Sequence, residues 1–190
     1  KLMVEELIHF RRSRLPMGRP NSMNNEGVLL DELGLTPGLI EPLVRKYIQL
    51  ACAALPPLAP LARGLDHQKA FVVRYRMGGD EFLADHFDNA EVTLNVNLGL
   101  EFEGGELVLR DSAGSPEAFH DWSSGGRGCG LLHVGSRVHS ALPLSSGERL
   151  NLVLWMRSRE HRRKFGCPMC GRRDTLIEQS GSNADELVLE

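Results

Sequence analysis

The sequence predicts a mainly β domain with supporting helices, of the double-stranded β-helix or jelly-roll class. Three observations point to it. From Ala70 to Arg157, short apolar or alternating runs follow one another, each bounded by Gly, Pro, Asp or Asn; strands at this even spacing belong to a sandwich or barrel rather than to βαβ units. Two helical stripes precede this stretch, and the strand pattern stops after Arg157. The chain accordingly divides into a helical supporting region over 1–69, a jelly-roll core over 70–157, and a basic tail with a cysteine pair over 158–190 that is expected to be partly mobile.

The elements follow in order. Leu2, Met3, Leu7 and Phe10 recur at helical spacing, and Arg11 and Arg12 suit the helix C-terminus, so 1–12 reads as a short amphipathic helix. A connector rich in Pro, Gly and Asn runs to Asn25, and 27–30 reads as a short strand. Thr36 can cap a second helix whose first position suits Pro37. Its apolar stripe is Leu39, Ile40, Leu43, Val44, Tyr47 and Ile48, and prolines end it after Leu55. The predicted strands are 70–76, 91–98, 106–110, 117–122, 129–133, 138–144 and 149–157. The basic run from Arg159 to Lys164 reads as a solvated face, and the acidic, polar residues from Asp174 onward read as mobile.

At 190 residues, 42% of them hydrophobic, the chain can bury one sizeable core. A net charge of −3 provides no global field favouring nucleic acid or an anionic membrane surface. No apolar stretch is long enough to span a bilayer, since Pro56, Pro57 and Pro60 cut the longest candidate. The first residue is Lys1, so a preceding segment is expected. The four cysteines form no dense disulfide framework and there is no Asn-x-Ser/Thr sequon; an intracellular compartment, cytoplasm or nucleus, is the expectation.

His86 and Asp88 lie two residues apart in the segment Asp85-His86-Phe87-Asp88-Asn89. In extended backbone such side chains share a face, with Cα atoms roughly 6.5–7 Å apart, and can converge on one ion. A third ligand must come from elsewhere. His139, opening a strand after a Gly-Ser turn, is the first candidate, and His133 is its rival. Two His and one carboxylate leave half of an octahedron open, an arrangement that suits non-haem iron(II) oxygen chemistry better than a closed structural zinc site. Arg149 stands at the head of an otherwise apolar strand, where a guanidinium requires an anion, and a carboxylate fits its fork. Thr93, Asn95 and Asn97 alternate with apolar neighbours and share one face, either lining the barrel or facing water. Cys167-Pro168-Met169-Cys170 is either half of a zinc knuckle, with His161 a further ligand, or a redox-active thiol pair. His9, His67, His120 and His161 have no partner at metal spacing and are expected at the surface.

His86-Phe87-Asp88, His139 and Arg149 ten residues later together resemble the prolyl and lysyl hydroxylase branch of the 2-oxoglutarate-dependent dioxygenases. The surroundings agree: 93–98 looks like the strand after the first two ligands, and Phe102-Glu103-Gly104-Gly105-Glu106-Leu107 like the family's Phe-x-Gly-Gly-x-Leu turn. The resemblance covers about 70–157. It implies an iron(II) site at His86, Asp88 and His139, and 2-oxoglutarate held by Arg149 with a hydrogen bond from Tyr75. Thr93, Asn95 and Asn97 would be further cosubstrate contacts, although the family often carries a Tyr near the place of Asn97. It also implies O2 as a reactant, succinate and CO2 as products, and ascorbate as an accessory reductant. The expected substrate is a protein side chain such as Lys or Pro, hydroxylated or, through an unstable hydroxymethyl product, demethylated; a nucleic-acid substrate is not expected. The alternative is a metal-binding recognition module without turnover. All the proposed ligands precede Arg157, so the tail from Arg159 is expected to be dispensable for the chemical centre.

Overall fold

A computed structural model describes residues 2–122, 126–171 and 186–188. Two antiparallel sheets face one another. The larger contains β1 (Gly27–Leu29), β2 (His67–Arg76), β4 (Val92–Asn97), β8 (Gly130–Val134) and β10 (Leu144–Arg157) in the order β1-β2-β10-β4-β8, with β5 (Phe102–Gly104) paired to the start of β10. The smaller has the order β11-β3-β9-β6-β7, built from β3 (Leu83–Asp88), β6 (Leu107–Arg110), β7 (Pro116–His120), β9 (His139–Ala141) and β11 (Glu186–Val188).

The apolar character of β10 has a direct cause: both of its faces are covered. Leu150, Leu152, Leu154 and Met156 point to a core shared with the helices, while Val153 and Trp155 point between the sheets. β2 alternates likewise, with Val72 toward the helices and Phe71, Val73 and Tyr75 toward the interior. The helices on the outer face are α1 (Leu2–Arg12), which buries Leu7 and Phe10, and α2, a continuous helical run over 36–54.

α2 departs from the sequence expectation in two ways. Its N-terminal residue Leu35 makes no side-chain cap, and the Thr36 hydroxyl is buried without a hydrogen-bond partner. Wide π-type turns at Thr36–Ile40 and Val44–Ile48 flank Pro42, which has no N–H for the ordinary ladder. Wider turns keep a strict four-residue repeat on one face, where a 3.6-residue period would let it drift. Ile40, Val44, Ile48 and Cys52 are therefore buried, whereas Leu39 and Tyr47 of the expected stripe are exposed.

Other differences lie in the strands and the tail. The expected run 138–144 breaks at Leu142-Pro143, and β10 starts already at Leu144. Gly147 allows this long strand to leave β5 and enter the larger sheet: its φ is +80°, and a Cβ there would lie 2.1 Å from the Glu101 carbonyl oxygen. After Arg157, a third helix, α3 (Arg159–Phe165), is capped by the Ser158 hydroxyl, which accepts from the His161 N–H at 3.1 Å. The basic run is thus not wholly solvated. Arg162 is buried and donates to Glu91 at 2.8 Å, while the second Glu91 carboxylate oxygen accepts from the Ser158 N–H. The expectation of mobility from Asp174 falls largely on 174–185 and 189–190, outside the described residues; within it, β11 pairs antiparallel with β3.

Candidate metal and 2-oxo acid site

β3 and β9 bring the three candidate ligands together. His86 and His139 are register partners across the two strands, with ring centroids 4.2 Å apart. Asp88 lies two residues along β3 on the same face, at 3.7 Å from each imidazole Nε2. One donor atom from each residue falls within 4.8 Å of the others, and all three residues are buried. Among the described residues this is the sole such cluster. The Nδ1 atoms of His86 and His139 approach the carbonyls of Ala84 and Arg137 at 2.8 and 2.9 Å. A carbonyl only accepts, so each Nδ1 carries the proton and each Nε2 turns a lone pair toward Asp88. The Thr93 hydroxyl donates to Asp88 Oδ2 at 2.5 Å and sets the carboxylate's orientation.

Electrostatics agree with this geometry. Burial, reinforced by His139, pulls His86 down to about 4. Burial also lowers His133 and His139, keeping their imidazoles neutral. Burial alone would push the Asp88 carboxyl up, yet it lies below the usual carboxylate range, and the hydrogen bond from the Thr93 hydroxyl favours the ionised form. Two neutral imidazoles and one carboxylate, with no enclosing fourth ligand among the described residues, form a donor set that fits iron(II).

His133 lies in β8. Its Nδ1 faces the Val134 carbonyl at 2.9 Å, and its Nε2 is 4.0 Å from Asp88 Oδ2. It packs beside His139, at 4.7 Å between ring centroids, but falls outside the converging cluster. His120, expected at the surface, packs edge-on against Trp122 at 4.4 Å.

Arg149 is 2% exposed and lies opposite Tyr75 in the β10–β2 ladder, its guanidinium 4.3 Å from the Tyr75 ring centre. Its Nη1 donates to the Gly105 carbonyl, and its Nε is buried without a partner. Burial lowers the guanidinium pKa, against a smaller opposing effect from Tyr75. Among the described residues no carboxylate forms an ion pair with it, so an anion from outside the chain suits the place. Gly104 and Gly105 have φ of +74° and +68°, and a Cβ on Gly105 would lie 2.8 Å from Arg149 Nη1. The glycine pair is what lets the turn come this close to the guanidinium.

The cavity between the sheets is walled by Tyr75, Arg149, His86, Asp88 and His139 together with Thr93 and Asn95. Asn95 Oδ1 accepts from Asn151 Nδ2 at 2.6 Å. Asn97 shares the inward parity but turns to its own loop, accepting from the Gly99 N–H at 2.8 Å, and does not line the cavity. Sequence reasoning missed Asn21, Asn24 and Ser140, which line the same cavity. The run of Asn before β1 was the available signal for the first two, yet it read as an ordinary connector. No metal cluster forms at Cys167 and Cys170 among the described residues. Cys167 is buried at 3.8 Å from both Arg162 Nη1 and Asn89 Oδ1.

The family model described as OGFOD2-like domain matches residues 1–57. A Xenopus tropicalis protein named 2-oxoglutarate and iron-dependent oxygenase domain-containing protein 2 is 48% identical over 94% of this chain and 51% of its own length. The Homo sapiens protein of the same name is 45% identical, with the same two coverages. The chain thus spans about half the length of these curated relatives. A PKHD-type hydroxylase from Rhizorhabdus wittichii is 28% identical over 78% of this chain and 60% of its own. A crystal structure of prolyl 4-hydroxylase from Phytophthora capsici shares the fold, with a TM-score of 0.56 at 18% identity, covering 82% of this chain and 53% of that one. No helix among the described residues is long and apolar enough to cross a membrane.

Proposed function

We propose that this chain, which belongs to the family of 2-oxoglutarate and iron-dependent oxygenases, oxygenates a C–H bond of a protein side chain while converting 2-oxoglutarate to succinate and CO2. The observation that carries this reading is the coexistence, in one buried cavity, of a two-His, one-carboxylate donor set and an arginine with no anionic partner among the described residues. His86, Asp88 and His139 would hold iron(II), which supplies oxygen activation when bound. Arg149 neutralises and orients the distal carboxylate of the 2-oxo acid, with the Tyr75 hydroxyl as second donor. Thr93 holds Asp88 in place, and Phe71, Val73 and Val153 keep the reacting end dry. The protein-side-chain substrate rests on likeness to hydroxylases, and hydroxylation and demethylation begin with the same C–H oxidation. An intracellular compartment fits four cysteines that form no disulfide.

Succinate formation with iron(II) and 2-oxoglutarate is the test, first without and then with peptide libraries. Turnover present in the wild type and lost in His139→Ala supports the enzyme. A wild type that binds neither Mn(II) nor 2-oxoglutarate by calorimetry overturns it.

A further inference from the structure

The loop before β1 reaches into the same cavity. Asn21 and Asn24 line it beside the metal ligands and Tyr75, and Asn24 is 1% exposed. The hydrogen bonds of this loop determine which end of the Asn24 amide is available. Asn21 Oδ1 accepts from the backbone N–H groups of Met23 and Asn24, at 3.0 and 2.6 Å, so its oxygen and nitrogen cannot be exchanged. Asn21 Nδ2 then donates to Asn24 Oδ1 at 2.9 Å, which assigns the Asn24 amide in turn. What remains is Asn24 Nδ2, an N–H2 group that is buried with no acceptor.

A buried donor left without a partner costs stability, so its presence calls for an acceptor. The loop holds the group in a defined position rather than leaving it to adapt. Arg19 bonds to Asn25 Oδ1 at 2.8 Å and to the Ser22 carbonyl at 3.1 Å. Asp80 accepts from the N–H groups of Asn25 and Glu26 and from Asn25 Nδ2. Gly27 lets the loop lie close against β2, since a Cβ there would meet the Val72 carbonyl at 2.1 Å and Pro20 at 2.7 Å. A clamped donor of this kind is preorganised for a guest.

Away from His86, Asp88 and His139, the cavity wall has a surplus of donors. Arg149 Nε and Trp155 Nε1, both on residues that line it, are buried and unpartnered like Asn24 Nδ2. A guest that matches such walls is rich in acceptors and poor in donors. Two carboxylates and a ketone, with no donor at neutral pH, meet that requirement.

We propose that Asn24 is a cosubstrate-binding residue whose Nδ2 donates a hydrogen bond to an oxygen of the bound 2-oxo acid. The inference rests on the reading above that this cavity takes 2-oxoglutarate. The test is calorimetric titration of the Mn(II)-loaded protein with 2-oxoglutarate, comparing wild type, Asn24→Ala and Asn24→Asp. Loss of one such bond predicts about three- to tenfold weaker binding for Asn24→Ala. Asn24→Asp keeps the shape but presents a carboxylate to an anion, and should bind more weakly still. Mn(II) affinity should stay at the wild-type level in both. Side-chain amide NMR of the wild type provides a second readout that does not depend on how the variants fold: the Asn24 N–H2 pair should shift on addition of 2-oxoglutarate. Variants within twofold of wild type, or an unmoved amide pair in a wild type that does bind 2-oxoglutarate, overturn the role of Asn24. A wild type that binds no 2-oxoglutarate at all overturns the underlying reading and this inference with it.

Discussion

At the scale of single residues, the proposed metal site depends on one carboxylate. Asp88 is the sole anion among the three converging ligands, and it also accepts the Thr93 hydroxyl. Asp88→Ala leaves two neutral imidazoles facing a dication and should abolish high-affinity Mn(II) binding in calorimetry or EPR titration. His133→Ala discriminates between the rival histidines. With its Nε2 outside the converging set, this variant should lose no more than about 10–100-fold in Mn(II) affinity, as for an outer-sphere change, while His139→Ala abolishes high-affinity binding. A metal site that survives His139→Ala and fails in His133→Ala would reverse the assignment. Arg149→Ala removes the guanidinium but none of the metal ligands. It should weaken 2-oxoglutarate by about 2–5 kcal/mol, as when one partner of a buried charge pair is truncated, and leave Mn(II) binding intact. The His-x-Asp pair was legible because period-two backbone puts both residues on one face. Asn24 was not legible, because its role depends on which of two amide ends a neighbouring asparagine engages.

Elements position these residues, and two of the connections can be tested. The turn between β5 and β6 presents the Gly105 carbonyl to Arg149 through backbone at φ +68°. Gly105→Ala adds left-handed strain of about 1–2 kcal/mol and a methyl group in the guanidinium's place. It should lower both the denaturant midpoint and 2-oxoglutarate affinity, with Mn(II) affinity unchanged; unaltered cosubstrate binding would separate the turn from the site. The second connection is α3, which the sequence leaves outside the strand pattern. Glu91, three residues past Asp88, is 4% exposed and relies on Arg162 and on the Ser158 N–H. Ending the chain at Arg157 strands that carboxylate and should cost about 3–5 kcal/mol relative to a chain ending at Gly171, read by urea denaturation. Equal stability of the two truncations would show that the Arg162–Glu91 contact does not hold α3 to the fold. The buried pair was hidden in a basic run because a sequence pattern counts charges and does not show which one faces inward.

For the molecule as a whole, binding and folding are linked. The ligand strand β3 and its partner β9 belong to the smaller sheet, while Arg149 belongs to the larger, so an occupied site ties the two sheets together. Mn(II) at about a hundred times its dissociation constant should add about 2.7 kcal/mol, which for a chain of this size raises Tm by about 5–10 °C. Asp88→Ala should abolish that shift, and a shift of equal size in the variant would place the metal elsewhere. Strand content, the pairing of His86 with Asp88, and the isolation of Arg149 in an apolar strand were all determined by the sequence alone, because two-residue alternation and the chemistry of a buried charge are local properties. Other features were decided only by tertiary structure: the choice of His139 over His133 for the converging set, the withdrawal of Asn97 from the cavity, the burial of Arg162 against Glu91, and the entry of Asn24 into the site. Each depends on distances between segments far apart in the chain, and those distances exist only once the two sheets close on one another.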